Sequence, residues 1–199
     1  MNDLIDKLRE AVFTPSLQAQ QAHENWLKKY PHEQGWKQNP DGSYDVKGPV
    51  DISNKGLTKI PWKFRRVGGS FYCDSNQLTT LEGAPHHVGR NFFCSNNQLT
   101  SLQGAPQYVG KTFYCTNNQL TTLEGAPQHV GADFYCKHNQ LTSLEGAPQH
   151  VGKTFFCNNN QLTTLEGAPQ HVGRSFYCSN NSVPSPKLKK TVKREYLQK

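Results

Sequence analysis

Six cysteines punctuate this 199-residue chain at positions 73, 94, 115, 136, 157 and 178, each 21 residues after the last. A fixed period of that length dictates a solenoid, because a unit so short buries its apolar face only against copies of itself stacked on either side. The unit reads L-x-G-A-P-x-x-V-G-x-x-F-[YF]-C-x-x-N-x-L-T-[ST]. A degenerate copy precedes the first cysteine: Val50, Ile52, Leu57, Ile60 and Val67 stand 21 residues before Phe71, Cys73, Leu78, Leu81 and Val88. A half copy closes the array, where Phe176, Cys178, Asn181 and Val183 keep register until Pro184 and Pro186 end it. With 34% hydrophobic residues, the chain has too few for one thick round core and must use them repetitively.

The run F-[YF]-C predicts a short strand with alternating faces. Phe, Cys, the two Leu and the Val are the residues able to form a core stripe. Phe71 and Cys73 therefore point inward and Tyr72 outward, and the pattern recurs in every unit. Gly-Ala-Pro, as in Gly125-Ala126-Pro127, is incompatible with the middle of a helix and predicts an extended or turn-like return path. Stacking in register gives a parallel sheet of about seven short strands, starting near 50, 71, 92, 113, 134, 155 and 176. At ~4.8 Å per strand that sheet is roughly 29 Å long.

The pattern F-x-C-x-x-N-x-L-T-[ST]-L resembles the leucine-rich repeat, with Phe and Cys in two leucine positions. Asn76, Asn97, Asn118, Asn139, Asn160 and Asn181 occupy the asparagine-ladder position. Asn39-Pro40-Asp41-Gly42 leading into Val50-Asp51-Ile52-Ser53, and then into repeats bearing Cys and Gly-Ala-Pro, looks like small leucine-rich-repeat proteins carried by bacteriophages. The resemblance implies an α+β leucine-rich-repeat solenoid whose parallel sheet lines a concave face. It also implies a role inside an infected bacterial host.

The ends of a solenoid expose core unless covered, so three regions are expected. Residues 1–49 form an N-terminal helical and hairpin cap. Leu4, Ile5, Leu8 and Val12 are spaced for one helical face, and Thr14-Pro15 opens a second helix carrying Leu17, Trp26, Leu27 and Tyr30. Trp36 through Val46, with its Asn-Pro-Asp-Gly turn, reads as a hairpin. Residues 50–183 are the solenoid. Residues 184–199 form a basic C-terminal cap or tail, a short helix with Leu188, Val192 and Tyr196 four residues apart.

Periodicity argues against catalysis, which needs one unique constellation of groups; no enzymatic activity and no cofactor are expected. The cysteines lack metal-ligand clustering and read as reduced core residues. His87, Tyr108, His129, His150 and His171 form a second ladder on the return path, read as a solvated stripe with no metal. The aromatic ladder Tyr72, Phe93, Tyr114, Tyr135, Phe156 and Tyr177 offers an exposed apolar strip, which marks an interaction site. Among the outward neighbours of these rings, only the turn with Asp133, Lys137 and His138 carries several charges. A central charged cluster flanked by aromatics has the make-up of an interface hot spot.

The net charge is +7, and residues 187–199 supply six bases against one acid. The body is close to neutral, so nucleic acid is expected to bind weakly at most, through the tail and the row Arg90, Lys111, Lys153 and Arg174. There is no membrane-spanning run and no secretory leader, which predicts a cytoplasmic protein in the infected host. The leading expectation is a protein-binding module that grips and inhibits a host protein. A component of an anti-phage defence complex, such as one of the BREX type, is a candidate. A nucleic-acid-binding accessory protein and a glycan-binding virion adhesin are the alternatives.

Overall fold

The computed structural model describes residues 17–183 and divides the chain into two units, with the boundary between Trp36 and Lys37. The first expected helix, around Leu4 to Val12, and the C-terminal helix around Leu188 to Tyr196 lie outside the described residues.

In the first unit, α1 (Leu17–Glu33) carries Trp26 and Tyr30, one turn apart, with ring centroids 5.0 Å from each other. Gly35, at φ 63°, ends the helix in the left-handed conformation. There its N–H bonds to the carbonyl of His32 and that of Trp36 to Pro31, a crossed pair that satisfies the last carbonyls. The same reversal sets the Trp36 ring edge-on to Tyr30 at 5.4 Å.

The second unit opens with an antiparallel hairpin, β1 (Lys37–Gln38) and β2 (Tyr44–Val46). Its turn is built from Asn39-Pro40-Asp41-Gly42. Gly42 N–H donates to the Asn39 carbonyl at 3.0 Å, and the Asp41 carboxylate accepts from the backbone and hydroxyl of Ser43. Each following turn contributes two short strands. One series is β3 (Val50–Asp51), β5 (Phe71–Tyr72), β7 (Phe92–Phe93), β9 (Phe113–Tyr114), β11 (Phe134–Tyr135), β13 (Phe155–Phe156) and β15 (Phe176–Tyr177). The other is β4 (Phe64–Val67), β6 (His87–Val88), β8 (Tyr108–Val109), β10 (His129–Val130), β12 (His150–Val151) and β14 (His171–Val172).

The first series forms a seven-stranded parallel sheet in sequence order, starting at the positions expected from the repeat. The second series joins β1 and β2 in an eight-stranded sheet. The molecule is therefore a parallel β-solenoid. Sequence reasoning anticipated one sheet and an extended or turn-like return; the return is itself a sheet. The reason is register. From β3 and β4 onward each strand residue faces its equivalent 21 positions away, as in Val130↔Val151, so even a two-residue segment after a proline finds a ladder partner in the neighbouring turn.

The corners are fixed by chemistry at single positions. Leu81-Glu82-Gly83-Ala84 is a type II turn: Ala84 N–H donates to the Leu81 carbonyl at 2.9 Å, and Gly83 has φ 91°. The turn recurs one period on at Gly104 and Gly125. A different glycine row, Gly89, Gly110, Gly131, Gly152 and Gly173, lets successive backbones close up. A Cβ on Gly110 would overlap the carbonyl oxygen of Gly89.

Between the sheets lies a core with one identical slice per turn. Phe113, Cys115, Leu120, Leu123 and Val130 are fully buried, as are their equivalents on either side. The phenylalanines stack in a column at 5.2–5.5 Å from Phe71 through Phe176. Burial of one such large side chain is worth about 1.5–3 kcal/mol, so each added turn contributes a similar increment.

Candidate interaction surface

Strand alternation turns the second residue of each strand in the seven-stranded sheet away from the core. Register then places Tyr72, Phe93, Tyr114, Tyr135, Phe156 and Tyr177 side by side. Their rings form one continuous stack with centroids 4.3–5.0 Å apart and planes within 10° of parallel. All six are half-buried. Stacking hides the ring faces and leaves the edges and the four tyrosine hydroxyls toward solvent.

The charged turn sits over the middle of this stack, and each of its three residues has a definite role. Lys137 Nζ lies 5.5 Å from the Tyr135 ring centroid and 5.9 Å from that of Phe156, beside two rings whose faces are covered by their stacked neighbours. Asp133 Oδ1 accepts a hydrogen bond from the Thr154 backbone N–H at 3.0 Å. Asn91 does the same for Thr112 and Ser70 for Asn91, so this carboxylate replaces a neutral acceptor in a structural row. His138 is exposed and has φ 54°, in a row of left-handed residues that includes Asn54, Asn96, Asn117, Asn159 and Asn180. Its Nε2 is 3.3 Å from Asn159 Nδ2, a bond that Nε2 accepts when the ring proton is on Nδ1. Asn117 bonds to Asn96, and Asn180 to Asn159, in the same way.

Sequence reasoning thus placed the nine candidate residues on one face and missed what holds three of them. The double asparagine that precedes the leucine in most units was the available signal for a left-handed position. Nothing in the sequence showed that Lys137 would fold back beside two rings.

Electrostatics divide this face along its length. Asp51 and Asp74 stand at its N-terminal end, where burial first, and then the charge of Asp51, raises the Asp74 carboxyl. Burial raises the Tyr135 phenol, with Asp133 and Tyr114 adding to it. Lys137 is the one cation among the outward residues of the strands and of the bends that follow them in turns 70–180. Arg90, Lys111, Lys153 and Arg174 are exposed but belong to the corner after the other sheet, and their row is interrupted at the buried Ala132.

The second ladder also stacks: His87, Tyr108, His129, His150 and His171 lie 4.5–5.1 Å apart with planes within 9°. Parallel imidazoles aim their nitrogens side by side rather than at a common point. Among the described residues no three His, Cys, Asp or Glu side chains come together as a metal site. The six cysteines are free thiols. Five are fully buried, and burial pushes those thiols well up from their usual value. Each of these five donates to the carbonyl of the outward aromatic one turn on, as Cys115 Sγ does to Tyr135 at 3.2 Å.

No helix among the described residues is long and apolar enough to cross a membrane. No protein-family model matches the chain, and no curated protein matches it.

Proposed function

We propose that this protein is a non-enzymatic, protein-binding repeat module of the leucine-rich-repeat type, and that its partner seats on the outward face of the seven-stranded sheet. The observation that carries the reading is the central group of Lys137, Tyr135 and Phe156. A half-buried cation lying beside two rings of a six-ring stack gives aromatic area and charge at the middle of one face, the composition in which binding energy concentrates.

The stacking also separates this reading from its rivals. Bases bind proteins by stacking on open ring faces, and sugar rings use the same faces. Here those faces are already taken by neighbouring rings. Ring edges and hydroxyls suit the mixed apolar and polar surface of a protein. Asp51, Asp74 and Asp133 against Lys137 leave this face with a negative balance, which works against a phosphate backbone. The resemblance to phage-borne repeat proteins is the ground for proposing a partner inside an infected bacterium. It favours a host target such as a component of an anti-phage defence complex, with BREX-type systems among the candidates. Inhibition is by occupancy rather than chemistry.

The test is affinity capture from bacterial lysate with and without nuclease, comparing the wild type with Lys137→Glu. The variant leaves the ring stack intact. A protein captured in a nuclease-insensitive way by the wild type and reduced at least tenfold with Lys137→Glu is the expected result. Capture that nuclease abolishes, or that Lys137→Glu leaves unchanged, contradicts it.

A further inference from the structure

The two ends of the solenoid are sealed to different degrees. At the first turn Val50, Ile52, Leu57 and Ile60 are all at most 6% exposed. At the last turn Leu165, Ala168, Val172, Cys178 and Val183 are only half-buried. Their equivalents one turn earlier, Leu144, Ala147, Val151, Cys157 and Leu162, are 0–3% exposed. Among the described residues, the strands β14 and β15 are also the ends of their sheets. The next turn is prevented by sequence, because Pro186 falls where the template requires the leucine represented by Leu144 and Leu165.

We propose that residues 184–199 of the same chain cover this open end, with Leu188, Val192 and Tyr196 seated on the half-buried slice of the last turn. The segment starts at the exposed site itself, one residue after Val183, so docking closes a short loop and requires little chain ordering. In helical form Leu188 and Tyr196 are ~12 Å apart at ~1.5 Å per residue, which matches the ~10 Å between two stacked sheets. The residues between them are mostly cationic: Lys189, Lys190, Lys193 and Arg194. One side of such a segment is apolar, and the other remains in water through its charged ends. This inference is independent of which partner the aromatic face binds.

Cys178 reports on the cover directly, because it is the one cysteine in the half-buried slice while Cys73, Cys94, Cys115, Cys136 and Cys157 are sealed. The experiment is maleimide labelling of the full chain, read at each cysteine by peptide mass spectrometry, in the wild type and in Leu188→Asp with Val192→Asp. The expected result is that Cys178 reacts at least tenfold faster in the variant, while the five sealed cysteines stay unlabelled in both. The wild-type rate should not change on tenfold dilution. Equal Cys178 rates in the two proteins overturn the proposal. Protection that disappears on dilution also overturns it, and assigns the end to a second copy of the chain. If all six thiols of the aspartate variant react, Leu188→Ala with Val192→Ala is judged by the same two criteria.

Discussion

At the scale of single residues, the ladder asparagines make the bend after each strand possible. Asn139 Oδ1 accepts from Leu120 N–H, while its Nδ2 donates to the carbonyls of Cys115, Cys136 and Lys137. One buried side chain thus serves two adjacent turns, and no backbone group could replace it. Asn139→Ala leaves Leu120 N–H buried without its partner, so a loss of about 1–3 kcal/mol is expected, measured from the urea midpoint. Cysteine gives the opposite outcome. A serine in its place would seem to bury an unpaired hydroxyl, yet the carbonyl of Tyr135 already accepts from the Cys115 thiol at 3.2 Å. Cys115→Ser should therefore cost less than about 1 kcal/mol, and dithiothreitol should leave the melting temperature of the wild type unchanged because no bond is there to reduce. The periodic residues were legible in the sequence because the repeat displays their type. Asp133 and Lys137 were legible as positions only: a carboxylate that caps a backbone N–H looks the same in sequence as one awaiting a partner.

At the scale of the element, two-residue strands persist because each has an identical neighbour. The strand starts at 50 through 176 could be read from F-[YF]-C, whose alternation marks one face as core. The second sheet could not. A His-Val or Tyr-Val pair after a proline gives no alternation to read, and only register with its copies turns it into a strand. The imidazole column of that sheet has a consequence for pH. Burial, and then the like charges of His171 and His129, lower the pKa of His150; burial and Arg66 lower that of His87. The unfolded chain, with imidazoles near the ordinary 6.5, takes up protons before the folded one does. Stability is thus fully present above about pH 6.5 and is lost as the pH falls through the depressed folded values. Thermal melts between pH 7.5 and 5 should show this decline, and His150→Gln should flatten it. A decline of the same steepness in His150→Gln would remove the column as its cause.

At the scale of the whole molecule, the solenoid converts a periodic sequence into two long faces of different chemistry. One presents half-buried ring edges with a single central cation, and the other presents imidazoles beside a row of Lys and Arg. A short unit cannot bind a large partner alone, but six strands in register extend one residue type over roughly 24 Å at ~4.8 Å each. The proposed binding site lies where the template is broken, and the turn bearing Asp133, Lys137 and His138 is the break at the middle of the aromatic stack. Truncating the rings tests this less cleanly than changing Lys137. Tyr114 and Tyr135 stack on each other and on Phe93 and Phe156, so Tyr114→Ala with Tyr135→Ala should cost about 1–3 kcal/mol of stability through three broken ring contacts as well as any partner. Calorimetric melts measure that part separately.

The central claim is that a protein partner sits against the middle of the aromatic face. Site-specific photo-crosslinking in bacterial cells tests it most directly, with a benzophenone side chain placed at Thr116, the outward position one turn before Lys137, in one variant and at the exposed Gln128, beside the imidazole column, in another. A discrete protein adduct from position 116, absent or at least tenfold weaker from position 128, is the result expected here. An adduct from position 128 alone, or nucleic acid as the species captured at position 116, would contradict it.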